Sequence, residues 1–425
     1  MRPTPASIPA RAPVPARVIV IGNGVIGLAS ALALQRRGVA TTLVAPDEAW
    51  RGASWGNAGH IAVEQVEPLA SPAALRSVPG RLFFRGGAVA LPPRAIATWL
   101  PFALKLARAS TPARFAHGKA ALGAILAEAM PAWRRLLADA GSPGLLCEDG
   151  HVVVWETAAT AAAGLARWRA ADIGTTRFEP VPPAELDAWQ RRSRVPLAGA
   201  IRFRGSGQIT DPAALGEALH ARFHALGGRL RRARAVGLTG HADARVTLDD
   251  GTELTADLAL VAAGAASAPL LAPLGFRVPL IAERGYHIES AETDWPVDAP
   301  PMVFEDRSMI VTRFAHSLRA ASFVEFARAG DPPDRRKWAR LRAHVDALGL
   351  SMGAPVGEWI GARPTLSDYL PAIGRVAAQP AVAYAFGHQH LGLTLAAATG
   401  EAVAALVHGE STPIDLSPFD LARFT

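Results

Sequence analysis

The chain is 425 residues long and half hydrophobic, enough to bury a large core and to form two domains or one with an excursion. Its net charge of +7 comes almost wholly from arginine, in scattered clusters (Arg191-Arg192, 229–234, 335–342) among which Trp338 is the one aromatic, and this scatter argues against a nucleic-acid footprint. A single cysteine, Cys147, excludes disulfides within the chain and thiolate metal sites.

Residues 1–16, rich in Pro and Ala, lack the apolar core of a signal peptide and read as a disordered tail. The first strand begins near Arg17 and enters Gly22-Asn23-Gly24-Val25-Ile26-Gly27, a G-x-G-x-x-G turn that opens a helix over 29–37 stopped by Gly38. Gly22 makes the tight turn, Gly24 admits a pyrophosphate against the backbone, and Gly27 lets helix and strand pack closely. The positive end of that helix then faces the phosphates, so a dinucleotide is expected here. A second strand, 41–44, leads to a glycine-rich turn, Gly52-Ala53-Ser54-Trp55-Gly56-Asn57-Ala58-Gly59-His60. Residues 81–110 mix Phe83, Phe84, Trp99 and Phe102 with Arg85, Arg94 and Lys105. They read either as a basic, aromatic membrane-surface patch or as an apolar element covering a second domain.

Helical periodicity follows over 113–140, with Pro131 as a kink or break. Asp149-Gly150 predicts a hairpin turn into a strand over 151–155. Thr210-Asp211-Pro212 starts a helix that ends at Gly227-Gly228, with Asp211 in the capping region and proline at the first position. Strands are expected at 229–238, 245–248, 258–262, 286–289, 309–313 and 320–325, and a helix over 335–348. The last pieces are a loop over 361–374, a strand at 381–386 and a helix over 393–406. No uninterrupted apolar run is expected to span a bilayer, and the expected setting is cytoplasmic.

This layout predicts an α/β chain with a Rossmann-like domain built from 17–62, 205–276 and 356–425. A strand-rich substrate domain, 63–204 and 277–355, is inserted twice. With one G-x-G-x-x-G turn and no redox cysteine pair, electrons are expected to come from the substrate and not from NAD(P)H.

With these positions in view, the chain resembles the FAD-dependent D-amino acid oxidase superfamily, most closely its D-amino acid dehydrogenases and hydroxyproline dehydrogenases. The likeness runs from Arg17 to the C-terminus. Four motifs carry it: Gly22 to Gly27; Gly52-Ala53-Ser54 through Asn57-Ala58-Gly59-His60; Gly361-Ala362-Arg363-Pro364 with Asp368 and Pro371; and Gly387-His388-Gln389-His390-Leu391-Gly392-Leu393-Thr394. The resemblance implies noncovalent FAD, an antiparallel sheet in the inserted domain, and further cofactor contacts at Ala235, Ala263, Gly264, Gly361 and Arg363. One departure stands out. Where the family carries an acid for the adenosine ribose, this chain has Ala45-Pro46, so either Asp47 reaches back or backbone and water hold the ribose.

The resemblance also makes Arg363 the carboxylate anchor, for which a planar guanidinium fork is suited; the bland alternative pairs it with Asp368 or Glu358 on the surface. The Gly387 to Gly392 turn aims a helix N-terminus at the flavin N1–C2=O edge, with His388 and His390 adding positive charge or hydrogen bonds. Met309 replaces the tyrosine of glycine oxidase-type enzymes, which leaves Tyr286, His287 or His60 to supply a polar group near the flavin, unless Tyr286 is a strand tyrosine packed in the core. No metal is expected, since no acid or cysteine accompanies His388 and His390. The implied substrate is a D-amino or imino acid, D-proline or cis-4-hydroxy-D-proline favoured, oxidised by hydride transfer from Cα–H to flavin N5. The implied acceptor is a membrane quinone, which allows a peripheral place at the inner membrane face. The rivals are an oxygen-using glycine or sarcosine oxidase, a flavin domain that modifies tRNA, and a non-catalytic FAD subunit.

Overall fold

The computed structural model describes residues 14–46 and 52–424. Asp47, the expected ribose contact, lies outside the described residues. The β-branched strand Arg17–Ile21 is buried from Val18 onward and pairs in parallel with Ala40–Ala45 on one side and Leu258–Val261 on the other. Arg229–Arg232 extends this sheet beyond Ala40–Ala45, and Val382–Phe386 then Ala372–Arg375 extend it beyond Leu258–Val261. All pairs but the last are parallel, and such sheets need helices on their faces. Helix Val25–Arg36 supplies one and is itself covered by helix Gly392–Val407. A Cβ at Gly400 would lie 2.8 Å from the Ala29 carbonyl oxygen, so glycine sets how closely these helices approach. The segment Gln389–Val407 is apolar and long enough to cross a membrane, contrary to the sequence reading. It serves as the core helix of this domain, 78% buried.

The second domain is built on a nine-stranded sheet. In order it runs Gly357–Leu366, Leu280–Ser290, Leu318–Ala327, Met309–Arg313, Met302–Phe304, His151–Trp155, Gly199–Arg204 and Arg177–Pro180, with Val89–Ala90 pairing beside Leu318–Ala327. It is mainly antiparallel; two of its pairs are parallel. Its apolar face closes over a separate core that includes Tyr286, Met309, Phe323 and Trp338. The chain is therefore a mixed α/β protein with a Rossmann-like domain and an inserted, largely antiparallel sheet.

Several local expectations change. Residues 361–366 belong to an edge strand whose register places Arg363 opposite Glu283 and Gly361 opposite Gly285. Leu146–Cys147 pairs with Gly207–Ile209, so Asp149-Gly150 joins two different sheets and makes no hairpin. The long helix divides into Pro112–Ala127 and Ala129–Asp139, with Pro131 in the first turn of the second, where its missing N–H costs nothing. Helices Pro212–Ala225 and Arg335–Leu348 form as expected, and the Asp211 carboxylate accepts from the amides of Ala213 (2.8 Å) and Ala214 (3.0 Å).

Candidate active site

A cavity of about 1170 Å³ lies between the two sheets and is lined by both the glycine turn and the Leu280–Ser290/Gly357–Leu366 strand pair. At the turn, Gly22 adopts φ +118°, and a Cβ there would meet the Ala262 carbonyl oxygen at 2.4 Å. Gly27 does not reach the cavity. It lies beneath the turn, where a Cβ would stand 1.9 Å from the Gly22 carbonyl oxygen. Gly24, Val25 and Ile26 face the cavity, and the Ser54 hydroxyl accepts from the Val25 amide at 3.0 Å. Ala45 ends the second strand and lines the cavity with Pro46, as do Ala235, Ala263 and Gly264. This cradle fits a dinucleotide: it is open, glycine-walled, and set at the start of a helix.

The loop carrying Ser54, Asn57 and Ala58 is fastened to the other sheet. Arg319 donates to the Trp55 carbonyl (3.0 Å) and to that of Asn57 (2.5 Å), while its Nη2 pairs with Glu289 (2.9 Å). His287 Nδ1 donates to the Gly56 carbonyl (3.2 Å), and its ring stacks on Trp359 at 4.9 Å. His287 does not line the cavity, because Trp359, its cross-strand partner, covers it. It positions the loop. Gly59 also stands back from the cavity; its amide donates to Asn57 Oδ1 (2.8 Å) and its carbonyl accepts from Ile209 (2.8 Å).

The cavity floor follows from strand register. Glu283, Gly285 and His287 stand opposite Arg363, Gly361 and Trp359. With no side chain at Gly285, the Arg363 guanidinium lies over it; a Cβ there would be 2.3 Å from Nη2. The Trp359 indole lies over Gly361 in the same way, 1.8 Å from where a Cβ would stand. Arg363 Nη1 donates to Glu283 (3.2 Å) and to the Phe323 carbonyl (3.1 Å). Neither Asp368, which binds Arg423, nor Glu358, which binds Arg342, is its partner. Glu283 is buried and also accepts from Thr365 (3.2 Å) and Tyr369 (3.1 Å). The guanidinium is thus held through Nη1 and lies over Gly285, where Arg363 lines the cavity.

Tyr286 lines the cavity, but its hydroxyl points away. It donates to the Glu325 carboxylate (3.2 Å) and accepts from the Asp334 amide (3.1 Å), within a buried cluster of Glu325, Arg284 and Lys337. Burial pushes the phenol up to about 12, so it stays protonated. Tyr286 is therefore a core residue with a satisfied hydroxyl. In the C-terminal turn, Gly387, His388, Gln389, Leu391, Gly392 and Leu393 line the cavity, while Thr394 sits behind and accepts from the Ala62 amide (2.9 Å). His388 shares a hydrogen bond with Thr399 (3.0 Å), and His390, also lining, donates to Gln65 (2.5 Å). Burial lowers them to about 3 and about 4, so they contribute hydrogen bonds and not positive charge at neutral pH.

Residues beyond the sequence motifs complete the site. Trp359 and Glu283 carry the floor, and His60 faces two unanticipated neighbours, Glu64 and His151. Burial lowers His60 to about 3 and His151 well below its usual value, and it raises Glu64 to about 8.

Comparison with known proteins agrees with this geometry. The DAO family, described as FAD dependent oxidoreductase, matches residues 17–406. A D-amino-acid oxidase of Bradyrhizobium diazoefficiens is 34% identical over 424 residues, covering 96% of this chain and 98% of the relative. A D-amino acid dehydrogenase of Cereibacter sphaeroides is 27% identical, covering 96% and 95%. Among solved structures, glycine oxidase from Geobacillus kaustophilus superposes with a TM-score of 0.71 at 21% identity, over 96% of this chain and 99% of that one. L-proline dehydrogenase from P. horikoshii gives 0.71 at 15% identity, over 97% and 98%. At those identities the structures speak for the fold.

Proposed function

The chain belongs to the DAO family of FAD-dependent oxidoreductases, and from that premise we propose that it oxidises D-amino acids at Cα. D-proline and its 4-hydroxylated form are the favoured substrates. The observation that carries the reading is the Arg363 guanidinium, laid over Gly285 on the cavity floor and steadied by Glu283. A planar fork at that place takes a carboxylate through two parallel hydrogen bonds, which a desolvated carboxylate needs. FAD, when bound, supplies the hydride acceptor. Residues 22–26 of the first turn and 387–392 of the C-terminal turn would hold that cofactor, and Trp359 lines the cavity with Arg363. FAD is read as noncovalently held; Cys147 does not line the cavity, so the chain's single cysteine offers it no thioether link. The test is an anaerobic screen of enantiomer pairs followed by flavin absorbance. D-enantiomers should bleach the flavin and L-enantiomers should not; bleaching by L-enantiomers alone, or by glycine and sarcosine alone, would reject the reading.

For the electron acceptor the reading is a membrane quinone, and an exposed apolar stripe supports the membrane contact that it requires. On helix Ile96–Ala109, Ile96, Leu100 and Leu104 recur every fourth residue and are 49%, 42% and 56% exposed, and Phe84 nearby in sequence is 76% exposed. Arg85, Arg94, Lys105 and Arg108 are exposed around them. A stripe of this kind, apolar and rimmed by cations, suits the surface of an anionic bilayer, with the apolar side chains at the headgroup boundary. The protein is expected to float with anionic vesicles and much less with neutral ones. Leu100→Glu with Leu104→Glu should abolish flotation; unchanged flotation would remove this surface from the account.

A further inference from the structure

His60, Glu64 and His151 are not used by the functional reading above, on which the following rests. His60 opens strand His60–Ile61, Glu64 lies just beyond it, and His151 begins a strand of the nine-stranded sheet. Their polar atoms converge on one point of the cavity. His60 Nε2 is 3.7 Å from Glu64 Oε2, His151 Nε2 is 4.0 Å from Glu64 Oε1, and donor atoms of the three lie within 4.8 Å of one another. The rings are fixed from behind: His151 Nδ1 shares a hydrogen bond with Ser206 (3.0 Å), and its ring stacks on Phe203 at 4.5 Å and meets His60 at 4.3 Å. Yet His60 Nε2 and Glu64 Oε2 are buried without a hydrogen-bond partner among the described residues. Two orphaned polar atoms side by side in a substrate cavity call for a guest.

The spacing selects the guest. Zinc, bonded at about 2.0–2.1 Å in tetrahedral geometry, draws its ligands to about 3.4 Å from one another, closer than these stand. An oxygen hydrogen-bonded at about 2.8 Å to each suits the wider separations. Burial lowers both imidazoles and raises Glu64 to about 8, which favours the neutral forms, and a neutral imidazole nitrogen and a carboxyl group can between them accept and donate. A hydroxyl matches both at once: its oxygen accepts from the Glu64 carboxyl and its proton goes to His60. An aliphatic carbon in its place satisfies neither.

We infer that His60, Glu64 and His151 form a hydroxyl-recognition subsite, through which the enzyme selects D-amino or imino acids with a hydroxylated side chain over the same acids without it. Sites built to bond a substrate hydroxyl reject the analogue lacking it by about 10⁴- to 10⁵-fold. Water that re-enters the vacated subsite reduces this, so a preference of about 10²-fold in kcat/KM is expected.

The experiment measures anaerobic flavin reduction of the holoenzyme by cis-4-hydroxy-D-proline against D-proline, and by D-threonine against D-2-aminobutyrate. At least one pair should show the hydroxyl preference. Glu64→Leu should bring that pair's ratio to within about tenfold of unity, whereas Glu64→Gln, which keeps a donor, should retain more of it. If Glu64→Leu does not retain FAD, His60→Leu gives the same readout. Equal rates for both members of each pair in the wild type, or a ratio that survives these variants, would overturn the subsite while leaving D-amino acid oxidation standing. Stoichiometric zinc or iron in the purified holoenzyme would overturn it as well. Failure of every D-amino or imino acid to reduce the flavin would instead remove the functional reading itself, and the subsite with it.

Discussion

Arg363→Ala should lower kcat/KM for D-amino acids by about two to three orders of magnitude, with FAD content near that of the wild type. The effect is large because two charges lose a partner together. The substrate carboxylate enters a cavity where Arg363 no longer receives it, and among the described residues Glu283 keeps the hydroxyls of Thr365 and Tyr369 as side-chain partners. Removing one member of a buried charged pair costs about 2–5 kcal/mol. Arg363→Lys should recover little. An ammonium keeps the charge, but it cannot bond Glu283 and the Phe323 carbonyl while presenting a flat edge to the substrate. Steady-state kinetics of the two variants, set against their flavin content, check this.

The second large effect belongs to the cofactor cradle. Gly27→Ala places a methyl 1.9 Å from the Gly22 carbonyl oxygen, a backbone atom that cannot swing aside. The helix start must then retreat from the turn, so FAD affinity should fall by about 10- to 100-fold and the protein should purify with little flavin. Gly24→Ala makes a useful contrast. Among the described residues its added methyl meets the Ser54 hydroxyl alone, at 3.4 Å, so the apoprotein should fold normally. Loss of FAD affinity in that variant would then report crowding of the pyrophosphate itself. Equilibrium titration of both apoproteins with FAD separates the two cases, and unchanged affinity in Gly27→Ala would contradict the packing argument.

What the sequence could disclose depended on how local each feature is. The Gly22 to Gly27 turn, the Asp211 cap and helix Arg335–Leu348 are written within a few consecutive residues, and each stands where the pattern placed it. Arg363 was visible through its motif, but its surroundings were not. The partner Glu283 is 80 residues away and meets it only through strand register, and the strand itself read as a loop because Gly361 and Pro364 are poor strand formers. At an edge, next to a ring and a guanidinium that need space, those residues fit. The same distance effect misled the reading of Tyr286. Its position suggested a substrate-facing hydroxyl, but Glu325 and the Asp334 amide, brought in from a neighbouring strand and a helix start, take that hydroxyl into the core. His287 was drawn toward chemistry by its sequence neighbours and is covered by Trp359 across the strands. His151 carries no motif at all, and only the folded sheet sets it beside His60 and Glu64.

The central claim is that this cavity oxidises an amine whose carboxylate is held by Arg363. The most direct measurement compares D-proline with pyrrolidine, which lacks the carboxylate, as reductants of the flavin in the wild type and in Arg363→Ala. The wild type should be reduced far faster by D-proline, and Arg363→Ala should lose most of that advantage while its slow reaction with pyrrolidine changes little. Equal slowing of both amines by Arg363→Ala, or D-proline turnover that survives the substitution, would contradict the account.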